Sequence, residues 1–170
     1  MDSWIPLNEH EKVIRKMILD VGCGDNPKGD INTDLYLYSK QIGSQDKAIK
    51  TKADIIADGN YLPFRDKTFN KVISHHVIEH TKTPFQFLKE LVRVAESKVE
   101  LKCPHRYSKQ AKMPYHISYF NRTWLVNACA KLGIDKHYYT ISTSYYHLSL
   151  FLFAIPILLP DELTLTINLK

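Results

Sequence analysis

The sequence predicts an α/β protein: a doubly wound, mostly parallel sheet whose last strand runs antiparallel. Three observations predict it. A short apolar run, Met17 to Val21, passes straight into Gly22 and Gly24, which reads as a buried strand ending in a tight turn. Strand-like runs then alternate with helix-like ones, the pattern of parallel sheets. Two further strand-like runs come late, after the final helical pattern, and these supply the antiparallel end.

Taken in order, Asn8 to Lys16 reads as a short amphipathic helix with Asn8 as its cap. Met17 to Val21 is the first strand and Gly22 to Asp30 the turn that follows. Ile31 to Leu35 is the second strand, carrying Asp34 near its end. Tyr36 to Lys50 is polar and reads as a helix broken at Gly43. Ala53 to Ala57 is the third strand, with Asp58 just past it. Asn60 to Thr68 is a loop, because Pro63 bars a long helix. Lys71 to Ser74 is the fourth strand. Pro84 to Ala95 is the clearest helix, since Phe87, Leu88, Leu91 and Val92 recur at helical spacing. Val99, Leu101 and Cys103 alternate along the fifth strand. After a polar loop, Asn121 caps a helix that ends at Leu132 before Gly133. Lys136 to Tyr145 and Leu163 to Leu169 are the late strands.

The crossover between the first two strands is short. Parallel neighbours normally need a connection of a dozen or more residues, usually a helix. Gly22 to Asp30 is shorter than that, so the helix is expected to be lost or reduced to a turn.

Composition narrows the class. At 170 residues the chain is expected to form a single domain, 1–170. Its 44% hydrophobic and 24% charged content is that of a soluble globular protein. A net charge of +5 tilts towards an anionic partner, but no arginine-rich run or aromatic–basic module favours nucleic acid. Three cysteines without a C-x-x-C pair argue against a disulfide frame or a zinc knuckle, which makes cytoplasm the expected location. The acidic N-terminus does not read as a signal peptide. The apolar segment 148–160 is too short for a transmembrane span and carries Pro156. Core packing is its default role, with a homodimer contact, a membrane-surface patch or an apolar acceptor lid as the alternatives if it is exposed.

The glycine turn suggests a nucleoside site. A dinucleotide fingerprint, G-x-G-x-x-G, fails because Pro27 stands at the third glycine. An acid two residues before the first glycine suits a ligand with a cationic amine. The run Asp20-Val-Gly22-Cys-Gly24 resembles the D/E-x-G-x-G-x-G motif of class I S-adenosylmethionine (SAM) methyltransferases, with Asn26 replacing the last glycine. Asp58-Gly-Asn-Tyr-Leu62-Pro-Phe64 is similar to the family's D-x-x-x-L-P-F, and Ser74-His-His-Val-Ile-Glu79-His80 to its S-x-x-V-L-E-H. Cys103-Pro-His105 and His116-Ile-Ser-Tyr-Phe120 resemble a stretch of its type-11-like branch.

That resemblance implies a Rossmann-like sheet of about seven strands and SAM as methyl donor, with S-adenosylhomocysteine as product. It implies cofactor contacts from Asp20, Gly22, Gly24, Asp34, Asp58, Gly59, Asn60, Leu62 and His75. Asp34 would accept from the ribose hydroxyls and Asp58 from the adenine amine, since a carboxylate only accepts. Leu62 has core packing as its other reading. His105 and His116 are the candidate general bases, because a neutral imidazole can take a proton near the working pH; each has loop anchoring as its alternative. Glu79 is expected to bond backbone amides beneath the glycine loop. No metal is expected, since no H-E-x-x-H occurs and no late Cys or Asp completes a set with His75, His76 and His80. The function so implied is methyl transfer by in-line displacement to an acceptor of unknown class. The alternative is a non-catalytic module that binds SAM or a partner.

Overall fold

The computed structural model describes residues 16–40, 48–149 and 156–169. In chain order, β1 is Ile18–Val21, β2 Ile31–Asp34, β3 Tyr38–Lys40, β4 Ala48–Lys50, β5 Ile55–Ile56 and β6 Phe69–His75. Helix α1 is Pro84–Val94, β7 Ala95–Pro104, α2 Arg122–Lys131, β8 Tyr139–Ser149 and β9 Pro156–Asn168. Single 3-10 turns cover Ile78–His80, Gln110–Lys112 and Lys136–Tyr138. The proposed N-terminal helix from Asn8 and the middle of the 148–160 segment lie outside the described residues.

Seven strands form one sheet in the order β5-β2-β1-β6-β7-β9-β8. The first five pair in parallel, and β9 runs antiparallel to both its neighbours. This is the mixed, doubly wound sheet expected from the sequence. Its centre is dry: Leu19, Val72, Val99, Leu163, Leu165 and Ile167 have no exposed surface. Helix α1 buries Phe87, Leu88, Leu91 and Val94 against this core, each worth about 1.5–3 kcal/mol against exposure. Asn121 caps α2 by accepting the Trp124 amide at 2.8 Å, and the Ile134 amide closes its far end on the Cys129 carbonyl.

The crossover from β1 to β2 contains no helix. Backbone and side-chain bonds hold it flat instead. The Asp30 amide donates to the Ile18 carbonyl, and Asp30 Oδ2 accepts the Ile18 amide. The Gly29 amide donates to Asn32 Oδ1. A Cβ at Gly29 would lie 2.6–2.8 Å from three backbone atoms, of Ile31, Asp20 and Ile18. Only a residue without a side chain lets the chain run this close to β1.

One expected element is replaced. Among the described residues the polar stretch 36–50 shows no helix; Tyr38–Lys40 and Ala48–Lys50 are instead the short antiparallel pair β3 and β4. Thr51 closes it by donating to the Tyr36 and Leu37 carbonyls. A second anchor fixes the loop before β6. Arg93 on α1 donates to the Leu62 and Phe64 carbonyls and to Asp66, while Glu90 accepts the Leu62 amide at 2.9 Å.

Candidate active site

The parallel strands β1, β2 and β6 end on the same edge of the sheet, where open α/β folds bind ligands. A cleft of about 1250 Å³ lies there. Its floor is the turn after Val21. The Gly22 and Cys23 amides both donate to the Thr33 carbonyl, at 2.8 and 3.0 Å, which locks the turn onto β2. Gly22 has φ +79, a region costly for residues with a Cβ. A Cβ there would also meet Val77 Cγ2 at 2.2 Å. Gly24 presents bare backbone to open space, with nothing within 4 Å of where its Cβ would be.

Asp34 and Asp58 stand on the cleft wall. Asp34 Oδ2 accepts the Gly24 amide at 3.0 Å and Oδ1 the Tyr36 amide at 3.2 Å. Asp58 Oδ1 accepts the backbone and side-chain amides of Asn60, both at 2.8 Å. Asn60 Oδ1 in turn accepts the Thr83 hydroxyl at 2.9 Å. Gly59 allows close packing of Phe87, whose ring would lie 2.3 Å from a Cβ there. Gly22, Gly24, Asp34, Asp58, Gly59, Asn60, His75 and His116 are thus brought to one cleft.

Three expected site residues are not. Asp20 is buried and off the cleft wall; its Oδ2 accepts the Lys28 amide at 2.9 Å. It fastens the helix-free crossover, and burial raises its carboxyl above the usual range. Leu62 sits in the core, 4% exposed, with its amide on Glu90. His105 lies away from the cleft, its ring 5.4 Å from Tyr107 and its Nδ1 accepting the Tyr107 amide.

His75 has both nitrogens engaged. The Lys28 ammonium donates to Nδ1 at 2.9 Å, which puts the proton on Nε2, and Nε2 donates to Glu100 Oε1 at 3.0 Å. Burial, with Lys28 beside it, lowers its pKa, against the pull of Glu100. His75 therefore meets a ligand with its ring surface.

Beyond the end of β6, the cleft is lined by Glu79, His80, Tyr115 and His116. Glu79 and His80 sit on the 3-10 turn after β6, and His116 on the loop after β7. The Ile117 and Ser118 amides both donate to the Glu79 carbonyl, which holds that loop to that turn. Burial lowers the His116 pKa, against the pull of Glu79. Among the described residues neither carboxylate oxygen of Glu79 has a hydrogen bond, so its expected role under the glycine loop is corrected. Tyr36, Glu79 and Tyr115 were not among the expected ligand contacts. The acid–imidazole pair after β6 was the available signal for Glu79, but its contact with the loop carrying His116 is a tertiary fact.

Strand order, cleft position and the glycine turn together define the Rossmann-like methyltransferase fold. The sequence model of the methyltransferase domain matches residues 19–101, just under half of the chain. Among curated proteins, no sequence matches it. In fold it is similar to a SAM-dependent methyltransferase of Thermotoga maritima, described as a possible histamine N-methyltransferase, with TM-score 0.61 and 16% identity over 90% of this chain and 82% of that one. It is similar also to a SAM-dependent methyltransferase of Archaeoglobus fulgidus, with TM-score 0.56 and 14% identity over 89% and 85%. Magnesium protoporphyrin IX methyltransferase of Synechocystis, with bound SAM, aligns at TM-score 0.51 and 12% identity over 91% and 70%. The chain thus has the class I SAM-dependent methyltransferase fold, and its residues 19–101 are similar to the methyltransferase domain model.

Proposed function

We propose that the whole chain, 1–170, works as one cytoplasmic domain that transfers the methyl group of SAM to an acceptor held at the His116 end of the cleft. The observation that carries this reading is that Asp34 and Asp58 line one cleft together with a turn that offers bare backbone at Gly24. Carboxylates accept hydrogen bonds, and a nucleoside offers donors in its ribose hydroxyls and adenine amine. Each Asp34 oxygen keeps a further lone pair beside its amide partner. Exposed Leu35 and Tyr36 add apolar surface for a base next to Asp34. The volume exceeds the roughly 300–1,000 Å³ of a typical ligand pocket, which leaves room for donor and acceptor together.

SAM, when bound, supplies a methyl carbon already activated by its sulfonium. The chain's own work is placement: the cleft holds the acceptor atom in line with that carbon, and positioning can supply most of the acceleration. His116 faces the acceptor end with an imidazole that burial keeps neutral, able to take a proton from a hydroxyl or amine.

Calorimetric titration of the purified protein with SAM, and separately with NAD, tests the reading. Micromolar binding of SAM and none of NAD is expected; the reverse rejects it. Labelled methyl that reaches no fraction of a cell extract, despite SAM binding, makes the chain the non-catalytic binding module.

Homodimerisation through 148–160 belongs to the same proposal. Leu158 is more than half exposed near the end of the β8–β9 pair. Light scattering should report a dimer that Leu158→Asp converts to a monomer. Among the described residues no helix is long and apolar enough to cross a membrane.

A further inference from the structure

Glu79 is 1% exposed, and among the described residues neither of its carboxylate oxygens takes a hydrogen bond. A buried carboxylate without hydrogen bonds is strongly disfavoured unless a cation accompanies it. His76 Nδ1 forms an ion pair with Glu79 Oε1 at 3.5 Å, but the same ring also serves Glu162, on Nε2 at 2.8 Å, so Glu79 is only partly compensated. His116 is also buried, and its Nδ1 has no hydrogen-bond partner either. One ligand atom each from Glu79, His80 and His116 lies within 4.8 Å of the other two.

The cluster is built rather than incidental. His80 Nδ1 lies 3.2 Å from the Tyr115 carbonyl. A carbonyl only accepts, so Nδ1 carries the proton and Nε2 the lone pair, the arrangement that prepares an imidazole to ligate a metal. The His116 loop is fixed to the Glu79–His80 turn by the Ile117 and Ser118 amides on the Glu79 carbonyl, and by the Ser118 hydroxyl on the Thr81 carbonyl at 2.9 Å.

We propose that Glu79, His80 and His116 bind a divalent transition-metal cation at the acceptor end of the cleft. One carboxylate and two imidazoles suit zinc, manganese or iron; magnesium and calcium prefer oxygen ligands alone. Three protein ligands leave open positions, as in catalytic rather than structural sites. All three residues line the cleft, so those positions face the bound acceptor. The acceptor class that fits is one presenting a hydroxyl oxygen to the metal, whose charge makes the hydroxyl proton easier to lose. In the loaded protein His116 is a ligand, and the metal takes over the task of acidifying the acceptor. The acceptor class rests on the methyltransferase reading; the cation site does not.

The test uses the full chain stripped with chelator and titrated calorimetrically with zinc chloride, manganese chloride and magnesium chloride in turn. Expected is one zinc or manganese ion per chain, with magnesium weaker, and affinity at least about tenfold lower in Glu79→Gln and in His116→Ala. Circular dichroism of each variant confirms folding, and either variant alone suffices if the other misfolds. Failure of the wild type to bind zinc or manganese overturns the proposal. So does binding that neither variant weakens, or magnesium binding as tight as zinc. A separate SAM titration of the same wild-type sample keeps the two readings apart. SAM binding without metal sinks the cation site alone, and metal binding without SAM sinks the donor reading alone.

Discussion

Asp34 Oδ2 accepts the Gly24 amide at 3.0 Å, so the acid that ends the second strand also closes the turn that follows the first. The same carboxylate is proposed to meet the ribose. Asp34→Ala should lower SAM affinity about 10–100-fold, the weight of a charge-assisted hydrogen bond. The turn keeps its two amides on the Thr33 carbonyl, so folding should survive. Calorimetry of the variant checks this, and unchanged affinity would remove Asp34 from the ribose role.

Gly22→Ala should cost about 1–3 kcal/mol, because the new methyl lands on Val77 Cγ2 and the backbone stays at positive φ. Adding Val77→Ala removes the collision but leaves the backbone cost. The double variant should therefore recover part of the loss in urea unfolding. Full recovery would show that the conformation costs nothing.

Glu90 sits below the ordinary carboxylate range because the Arg93 guanidinium bonds it, helped by the Leu62 amide, against burial. Near pH 4 the unfolded chain therefore binds more protons than the folded one. This stabilisation is complete above the unfolded value of about 4.3 and is lost as pH falls through the lower folded value. Glu90→Gln should remove that acid-side dependence, visible as a flatter stability curve between about pH 6 and pH 3. An unaltered slope would show that other carboxylates set it.

His116→Ala should reduce turnover by about 100-fold or more, whether the imidazole serves as base or as ligand. His105→Ala should leave turnover within about twofold, the scale of a residue that takes no part in proton transfer. Steady-state kinetics at saturating SAM separates the two. Equal losses would return His105 to the site despite its place beside Tyr107.

The legible part of this protein was its periodicity and its punctuation. A short apolar run located β1, alternating apolar residues located β7, the spacing of Phe87, Leu88 and Leu91 located α1, and the distance from Gly22 to Asp30 announced the missing helix. The segment 36–50 misled because β3 and β4 have three residues each, too few for a period to emerge. Asp34 and Asp58 followed from their places at strand ends. Asp20 looked equivalent in sequence, but the flattened crossover brings the Lys28 amide over it, and the acid is spent there. Leu62 followed its apolar character into the core. Glu79 and His116 are far apart in sequence, so no spacing rule could join them; the loop after β7 does so only once the sheet has formed.

The short connection after β1 has a kinetic consequence. Leu19 pairs with Ile31, twelve positions on, whereas its other partner, Val72, is fifty-three away. Closing the smaller ring costs about 1 kcal/mol less chain entropy than closing the larger. Parallel strands are ordinarily late to form because their partners are remote. Here the β1–β2 corner is nearly as local as a hairpin, so it can assemble first and serve as the template on which β6 docks.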